Sequence, residues 1–175
     1  RHPMEFRILG PLEVMNGSGV IEVNAPKQRL ILTVLALADG GEVSTDRLLR
    51  DVWGENPPGG GLKTLQYHVS KLRESLTADM DHAATDIVAT RSPGYVMEVE
   101  PTDLDSLRFE ALAERSRRTA RVDLRSAVEL MSDALGLWRG PVLGEFEYEQ
   151  FARETVLRLD EKRILLTEDR LAARL

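Results

Sequence analysis

The clearest hydrophobic pattern in the chain lies in residues 61–76, where large apolar side chains recur at alternating steps of three and four. This spacing predicts one α-helix with a single buried stripe. Because a helix advances by about 100° per residue, the polar positions collect on the opposite face, and only one of them is acidic. The stripe comprises Leu62, Leu65, Val69, Leu72 and Leu76; the exposed face comprises Lys63, Tyr67, Ser70, Lys71 and Glu74, with Gln66 and Arg73 on its flanks.

A β-hairpin is predicted shortly after this helix. Residues of β-type at 87–90 and 95–99 flank a tight turn at 91–94. A helix with a polar, basic-leaning face followed by a hairpin with an arginine at its tip is typical of a recognition helix and its wing. Such a helix face suits contact with phosphates and base edges.

The residues before position 61 predict a small antiparallel sheet followed by two helices. A proline opens the first helix, where its missing N–H costs nothing, and a Gly-Gly pair ends it. Ser44 or Thr45 caps the second helix. The strands are expected at 5–9, 12–14 and 20–23, the helices from Pro26 to Gly40 and over 46–53, and a loop rich in Gly and Pro at 54–61.

Beyond position 101 the β-type pattern disappears, and three helices are predicted at 105–122, 124–138 and 149–175. Helices of this length in antiparallel hairpins are typical of a tetratricopeptide-like module. The predicted fold is therefore an α+β winged helix-turn-helix domain over 4–100, followed by an all-α tetratricopeptide-like domain over 101–175. The last helix carries no stop signal, so we expect the helical domain to continue beyond Leu175.

The composition narrows the choice of function. The chain has no cysteine, which excludes disulfides and thiolate metal sites. Its apolar runs are shorter than the roughly 18–20 residues that span a bilayer, so we expect no membrane association and a cytoplasmic location. The net charge is −6, with 10 Lys and Arg against 14 Asp and Glu in residues 1–100. DNA binding must therefore use a local basic patch, and it should be sensitive to salt.

Catalytic and cofactor sites are not expected. The Gly-rich segment before Lys63 lacks the glycine spacing of a phosphate loop and follows a helix rather than a strand. His82 stands among acidic residues without a second His or Cys at ligand spacing, so it does not predict a metal site. The sequence indicates a protein that is not an enzyme, without metal or cofactor.

The order of elements resembles the Streptomyces antibiotic regulatory protein (SARP) family, which are transcriptional activators of actinobacteria. Members carry a winged helix of the OmpR/PhoB type followed by a bacterial transcriptional activator domain. The likeness extends over nearly the whole chain, and its most specific string is Leu-Trp-Arg-Gly-Pro. The residues that carry it are Leu9 to Leu12, Pro26 to Arg29, Leu48-Leu49, Val52 to Gly54, Pro57-Pro58, Thr64 to Gln66, Val69 to Arg73, Pro93 to Tyr95, Leu104-Asp105, Phe109-Glu110 and Ala134 to Pro141.

The resemblance implies that the third helix enters the major groove of double-stranded DNA and that the wing reaches the neighbouring minor groove. Members bind direct repeats side by side, one helical turn apart, and recruit RNA polymerase holoenzyme with its sigma factor, here for a secondary-metabolite gene cluster. A cytoplasmic, nucleoid-associated location follows. The implied recognition residues are Lys63, Thr64, Gln66, Tyr67, Ser70, Lys71 and Arg73, the wing residues Arg91 and Ser92, and the polymerase-contact loop Glu55, Asn56, Pro57 and Pro58.

Each of these assignments has a plainer alternative. The polar helix face is also consistent with a solvated surface, and Arg73 with an intramolecular pair to an acid. Arg91 could serve solubility, and the loop at 55–61 could be a linker. The acidic balance supports a rival function, in which the helical part is a protein-interaction module and the winged helix is a docking platform.

Overall fold

The computed structural model describes residues 4–17, 19–78 and 87–175, so the group around His82 lies outside the described residues. The chain divides into two compact units. The first comprises the residues up to Phe6 together with Glu13–Asp103, and the second comprises Arg7–Leu12 together with Leu104–Leu175. The predicted order, an α+β winged helix followed by helices, is confirmed.

The first unit begins with a three-stranded sheet of strand order β1-β2-β3. The strands are β1 (Glu5–Arg7), β2 (Glu13–Asn16) and β3 (Gly19–Ile21). β2 and β3 are antiparallel, with Val14 opposite Ile21. Phe6, Val14 and Ile21 are buried, so alternate residues of each short strand face the core as the period-two pattern requires.

Three helices and a second sheet complete this unit: α1 (Pro26–Leu37), β4 (Glu42–Ser44), α2 (Thr45–Trp53), α3 (Leu62–Leu76), β5 (Val88–Arg91) and β6 (Gly94–Met97). Pro26 opens α1 as predicted, and the Ser44 hydroxyl caps α2 by accepting a hydrogen bond from the Arg47 N–H at 3.1 Å. The predicted hairpin is confirmed. β4 was not predicted as a strand, because only Val43 has β-type character there and three residues carry no periodicity.

β4 positions the hairpin through main-chain contacts. The second sheet has the order β4-β6-β5, and Ser44 lies opposite Gly94 in antiparallel register. The Thr45 N–H donates to the Pro93 carbonyl at 3.0 Å. A Cβ on residue 94 would stand 1.9 Å from the Val43 carbonyl oxygen, so only glycine permits this approach. The hairpin tip is thereby fixed against the start of α2.

The second unit contains α4 (Asp105–Thr119), α5 (Leu124–Leu135) and α6 (Arg153–Ala173). Buried alanines at 113, 127 and 134 allow α4 and α5 to pack closely. The predicted helices were longer at four of their six ends. The largest difference follows α5, where the chain leaves the helix at Gly136 and passes through short 3₁₀ turns at Gly144–Phe146 and Gln150–Ala152.

The N-terminal segment Arg7–Leu12 is held inside the helical unit. The Asp105 carboxylate, which is buried, accepts the N–H groups of Ile8 and Leu9 at 2.9 and 3.0 Å. Arg139 N donates to the Leu9 carbonyl at 2.7 Å, and Leu143 N to the Ile8 carbonyl at 2.8 Å. A simple division of the chain near residue 100 therefore leaves out one feature. The six residues 7–12 belong to the helical unit, because their main-chain groups form hydrogen bonds there.

Asp105 gives the first testable prediction. Burial raises the pKa of its carboxyl, and the N–H bonds from Ile8 and Leu9 oppose that rise. In Asp105→Asn, one oxygen is replaced by an amide donor, so one buried N–H loses its acceptor. We expect a loss of about 1–3 kcal/mol in the free energy of unfolding, measured by urea denaturation.

The matched control is Asp123→Asn, the same chemical change at the exposed N-cap of α5, where the aspartate accepts the Ser126 N–H at 3.1 Å. Asparagine caps a helix about as well as aspartate, so this variant should unfold like the parent. Equal losses in the two variants would show that the Asp105 carboxylate has no special role.

Candidate nucleic-acid interface

α3 presents the polar face that its sequence predicts. Leu65, Val69 and Leu72 are fully buried, and Leu76 is buried as well. Leu62 departs from the predicted stripe: it is 48% exposed, because it is the first helical residue and lies one turn before the packed core. The exposed positions of the helix include Lys63, Gln66, Tyr67, Ser70 and Glu74.

The two lysines of this face differ in their surroundings. The side chain of Lys63 makes no hydrogen bond or ion pair with any residue in the described ranges, and its N–H donates to the Gly60 carbonyl at 3.0 Å. Lys71 lies over the Tyr67 ring, with its Nζ 5.8 Å from the centroid, and its Nζ is 3.3 Å from Glu74 Oε2. Exposed pairs of this kind contribute at most about 1 kcal/mol. Lys71 can therefore exchange Glu74 for a phosphate or a base at little cost.

Thr64 connects α3 to the loop that precedes it. Its hydroxyl donates to the Gly59 carbonyl at 2.8 Å, and the Gly61 N–H donates to the Pro58 carbonyl at 3.0 Å. Thr64 is thus engaged with the loop. The predicted polymerase-contact residues Glu55, Asn56 and Pro57 are exposed, and Pro58 is half-buried. The loop consequently presents its acidic and amide side chains on an ordered turn.

Arg73 joins α3 to the hairpin. Its Nε donates to the Val88 carbonyl at 2.8 Å, and its Nη2 donates to Thr90 Oγ1 at 3.1 Å. The guanidinium carbon also lies 5.7 Å from the centroid of the Tyr95 ring. Arg73 therefore has intramolecular partners, as the plainer alternative expected. These partners are a carbonyl, a hydroxyl and an aromatic ring, and not the acid of that alternative. These bonds fix the angle between helix and wing.

The wing carries the two predicted residues at its exposed tip. Arg91 and Ser92 are both exposed, and Arg91 forms an ion pair with Glu98. Because Arg91 ends β5 and the register places it opposite Gly94, its side chain stands beside the turn. Both candidate cations near the ends of this surface, Lys71 and Arg91, are therefore paired with an exposed glutamate.

A cluster of aromatic and basic side chains connects α1, α2 and α3. The rings of Trp53 and His68 are 5.7 Å apart, and those of Tyr67 and His68 are 5.3 Å apart. Lys27 lies over Trp53 at 5.4 Å and donates to the Val52 carbonyl at 3.2 Å. Periodicity did not reveal this role of Lys27, because its contacts on α2 lie 25 or more residues away in the sequence.

The described residues contain no group of three or more His, Cys, Asp or Glu placed to hold a metal ion. None of their helices is long and apolar enough to cross a bilayer.

Comparison with known proteins identifies both units. Residues 23–97 match the domain described as "Transcriptional regulatory protein, C terminal", and residues 104–175 match the bacterial transcriptional activator domain. Relatives include regulatory protein DnrI of Streptomyces peucetius, 34% identical over 96% of this chain and 64% of its own length, and regulatory protein AfsR of Streptomyces griseus, 33% identical over 96% of this chain and 16% of its own length. The chain belongs to the SARP family.

The family is one of transcriptional regulators and is not enzymatic. A solved structure of Mycobacterium tuberculosis EmbR in complex with a low affinity phosphopeptide resembles this SARP chain with a TM-score of 0.91 and 28% identity, over 99% of this chain and 46% of EmbR. The chain thus spans about two thirds, or less, of the lengths of these relatives.

Arg73 generates a prediction about the wing of this SARP protein. Arg73→Met keeps the aliphatic stem but removes both donors, so β5 and β6 should open more often. We expect amide hydrogen exchange in 88–97 to accelerate about tenfold, which corresponds to about 1.4 kcal/mol, a typical value for a bond to a charged group.

The control is Arg47→Met, which removes an exposed arginine paired with Asp51 at 3.2 Å on α2. It should leave exchange in the hairpin unchanged. Unaltered exchange in Arg73→Met would mean that the hairpin is held by β4 alone.

His68 generates a prediction about pH. Burial, and secondarily the charge of Lys27, lower the pKa of His68 below its usual value. Its protonation therefore favours the unfolded chain: its contribution to stability is present above about pH 6.5 and is lost as the pH falls below that value. We expect the Tm to fall between pH 7.5 and pH 5.5, and to fall less in His68→Gln.

The comparison is made with His2 and His82 replaced by Gln in both proteins, so that only His68 differs among the imidazoles. An equal decrease in Tm with and without His68 would assign the pH dependence to other groups.

Proposed function

We propose that this chain is a sequence-specific DNA-binding activator that inserts α3 into the major groove of double-stranded DNA. The observation that carries the proposal is the separation of the two faces of α3. Its apolar residues from Leu65 onward are buried, while Lys63, Gln66, Tyr67 and Ser70 are exposed. Tyr67 is 58% exposed, so its ring and hydroxyl are accessible for contact with bases and sugars.

The side chains of this face divide by chemistry. Gln66, Tyr67 and Ser70 offer hydrogen bonds to base edges, whereas Lys63 and Lys71 offer charge to phosphates or to guanine. Thr64 and Arg73 act chiefly as positioning residues in this proposal, because their donors already bond to the loop and to the wing. Arg91 and Ser92 approach the adjacent minor groove, and Arg91 releases Glu98 when it does so.

The negative net charge of the chain limits its expected affinity for DNA. With a net charge of −6, the protein as a whole repels DNA, so local basic patches such as the one formed by α3 and the wing must provide the attraction. Affinity should therefore be modest and strongly dependent on salt. Binding of two chains side by side on direct repeats would compensate, since each half-site then adds its own contacts.

The second half of the proposal is recruitment of RNA polymerase holoenzyme with its sigma factor, through the loop Glu55–Pro58 and the helical unit. The exposure of Glu55, Asn56 and Pro57 on an ordered turn supports it. Membership of the SARP family supports control of an antibiotic gene cluster, and a regulator of this kind would act in the cytoplasm at the nucleoid.

The first test is selection from a randomised duplex pool, followed by sequencing and by fluorescence anisotropy at two salt concentrations. We expect two direct half-sites about 10–10.5 base pairs apart from centre to centre. Lys71→Ala should weaken specific binding by about 1–3 kcal/mol if Lys71 contacts a base, and random DNA much less. Lys63→Ala should also weaken binding.

Glu74→Gln is the complementary variant, since it removes the exposed acid that pairs with Lys71 on α3. It should tighten binding on specific and random DNA alike. Arg153→Ala, which removes an exposed charge at the start of α6, should change neither. A flat selection, with weak binding lost at higher salt, would instead favour the rival function, in which α3 is a docking surface for protein.

A further inference from the structure

An arginine cluster at the turn between α4 and α5 is the strongest feature that the proposed function does not use. Five of the 23 basic residues of the chain lie within 115–125, and the only acid in that window is Asp123. All five side chains are exposed. We call this surface the arginine turn; its members are Arg115, Arg117, Arg118, Arg121 and Arg125.

The acids near the arginine turn do not neutralise it. Glu114 lies 3.2 Å from Arg117 and 4.0 Å from Arg118, in exposed pairs that water and salt weaken. Asp123 is occupied as the cap of α5: hydrogen bonds from the side chain and the N–H of Ser126 lower its pKa. Arg115 and Arg121 make no ion pair with any residue of the ranges that the structure describes.

Helix electrostatics explain only part of the cluster. Arg117 and Arg118 lie in the last turn of α4, where a positive charge is favourable. Arg125, in contrast, lies in the first turn of α5, where the helix dipole disfavours a cation. Arg115 is too far from the end of α4 to gain much. Helix electrostatics therefore do not account for Arg115 or Arg125, and an anionic partner would be favoured at this surface.

The geometry of the turn suits a phosphate backbone. Main-chain bonds fix it: the N–H groups of Val122 and Asp123 both donate to the Thr119 carbonyl, at 3.0 and 2.8 Å. All five cations are arginines, whose planar guanidinium binds phosphate oxygens in a bidentate manner. Val122 and Leu124, which lie among these arginines in the sequence, are 88% and 51% exposed and offer apolar contact to sugars.

We propose that the arginine turn is a second DNA-binding surface, which contacts phosphates of the DNA without contributing to sequence choice. This inference rests on the proposed function, because it assumes that the chain binds DNA. The helical unit, whose proposed role is otherwise limited to contacts with protein, would thereby contribute electrostatically to the affinity for DNA. Each phosphate neutralised there should add about 0.9 to the slope of log affinity against log salt.

The test is the double variant Arg115→Gln/Arg121→Gln, measured by anisotropy on the selected duplex extended with random flanks, between 50 and 200 mM salt. Two lost contacts should flatten the slope by about 1.8, so the parent should lose about twelvefold more affinity over this range than the variant. The selected sequence should stay the same. The matched control is Arg153→Gln/Arg174→Gln, which removes the same charge from exposed positions at the first residue and the C-cap of α6 and should keep the parent slope.

Each other outcome has a definite meaning. An unchanged slope in the turn variant, with the parent still selecting its motif, would overturn the arginine turn as a DNA surface and leave the proposed function intact. If that variant then failed to support transcription, the turn would bind an acidic protein surface instead. Equal flattening in both double variants would also overturn the proposal, because net charge alone would account for it. Loss of DNA binding by the parent itself would overturn both proposals.

Discussion

The helical unit depends on one buried carboxylate. Asp105 accepts the N–H groups of Ile8 and Leu9, and so places a segment from the start of the chain among helices that begin almost a hundred residues later. A buried main-chain donor without an acceptor is costly, so the interaction leaves little freedom in where this segment lies. Leu9 and Ile8 in turn accept from Arg139 and Leu143, which explains why the chain leaves α5 before position 138.

The proposed DNA-binding surface, formed by α3 and the wing, combines cations that attract DNA with acids that weaken this attraction. Its cations at positions 71 and 91 are each paired with an exposed glutamate. Such pairs are weak enough to be displaced by phosphate, yet they reduce attraction to DNA in general. If the chain binds DNA as proposed, this arrangement in an acidic protein would favour binding sites that offer base contacts as well as charge, and selectivity would depend on Tyr67, Gln66 and Ser70.

The elements with strong local signals were predictable from sequence. α3 was defined by the spacing of Leu65, Val69 and Leu72, and α2 by Ser44 at its cap. Contacts between residues distant in sequence were not predictable: β4 depends on pairing with β6, and the partners of Asp105 lie 96 and 97 residues away. At the candidate site, periodicity located the exposed lysines, but only the fold showed that Thr64 and Arg73 already have partners.

The main-chain attachment of the wing has a consequence for how this surface can diversify. The hairpin is placed by Gly94 against Val43 and by the bond from Thr45 to Pro93, neither of which involves a side chain at the tip. Substitutions at Arg91 and Ser92 can therefore change what the tip contacts without moving it. If the tip contacts DNA as proposed, substitutions at these two positions would change its sequence preference without destabilising the scaffold, and closely related regulators would be expected to differ there.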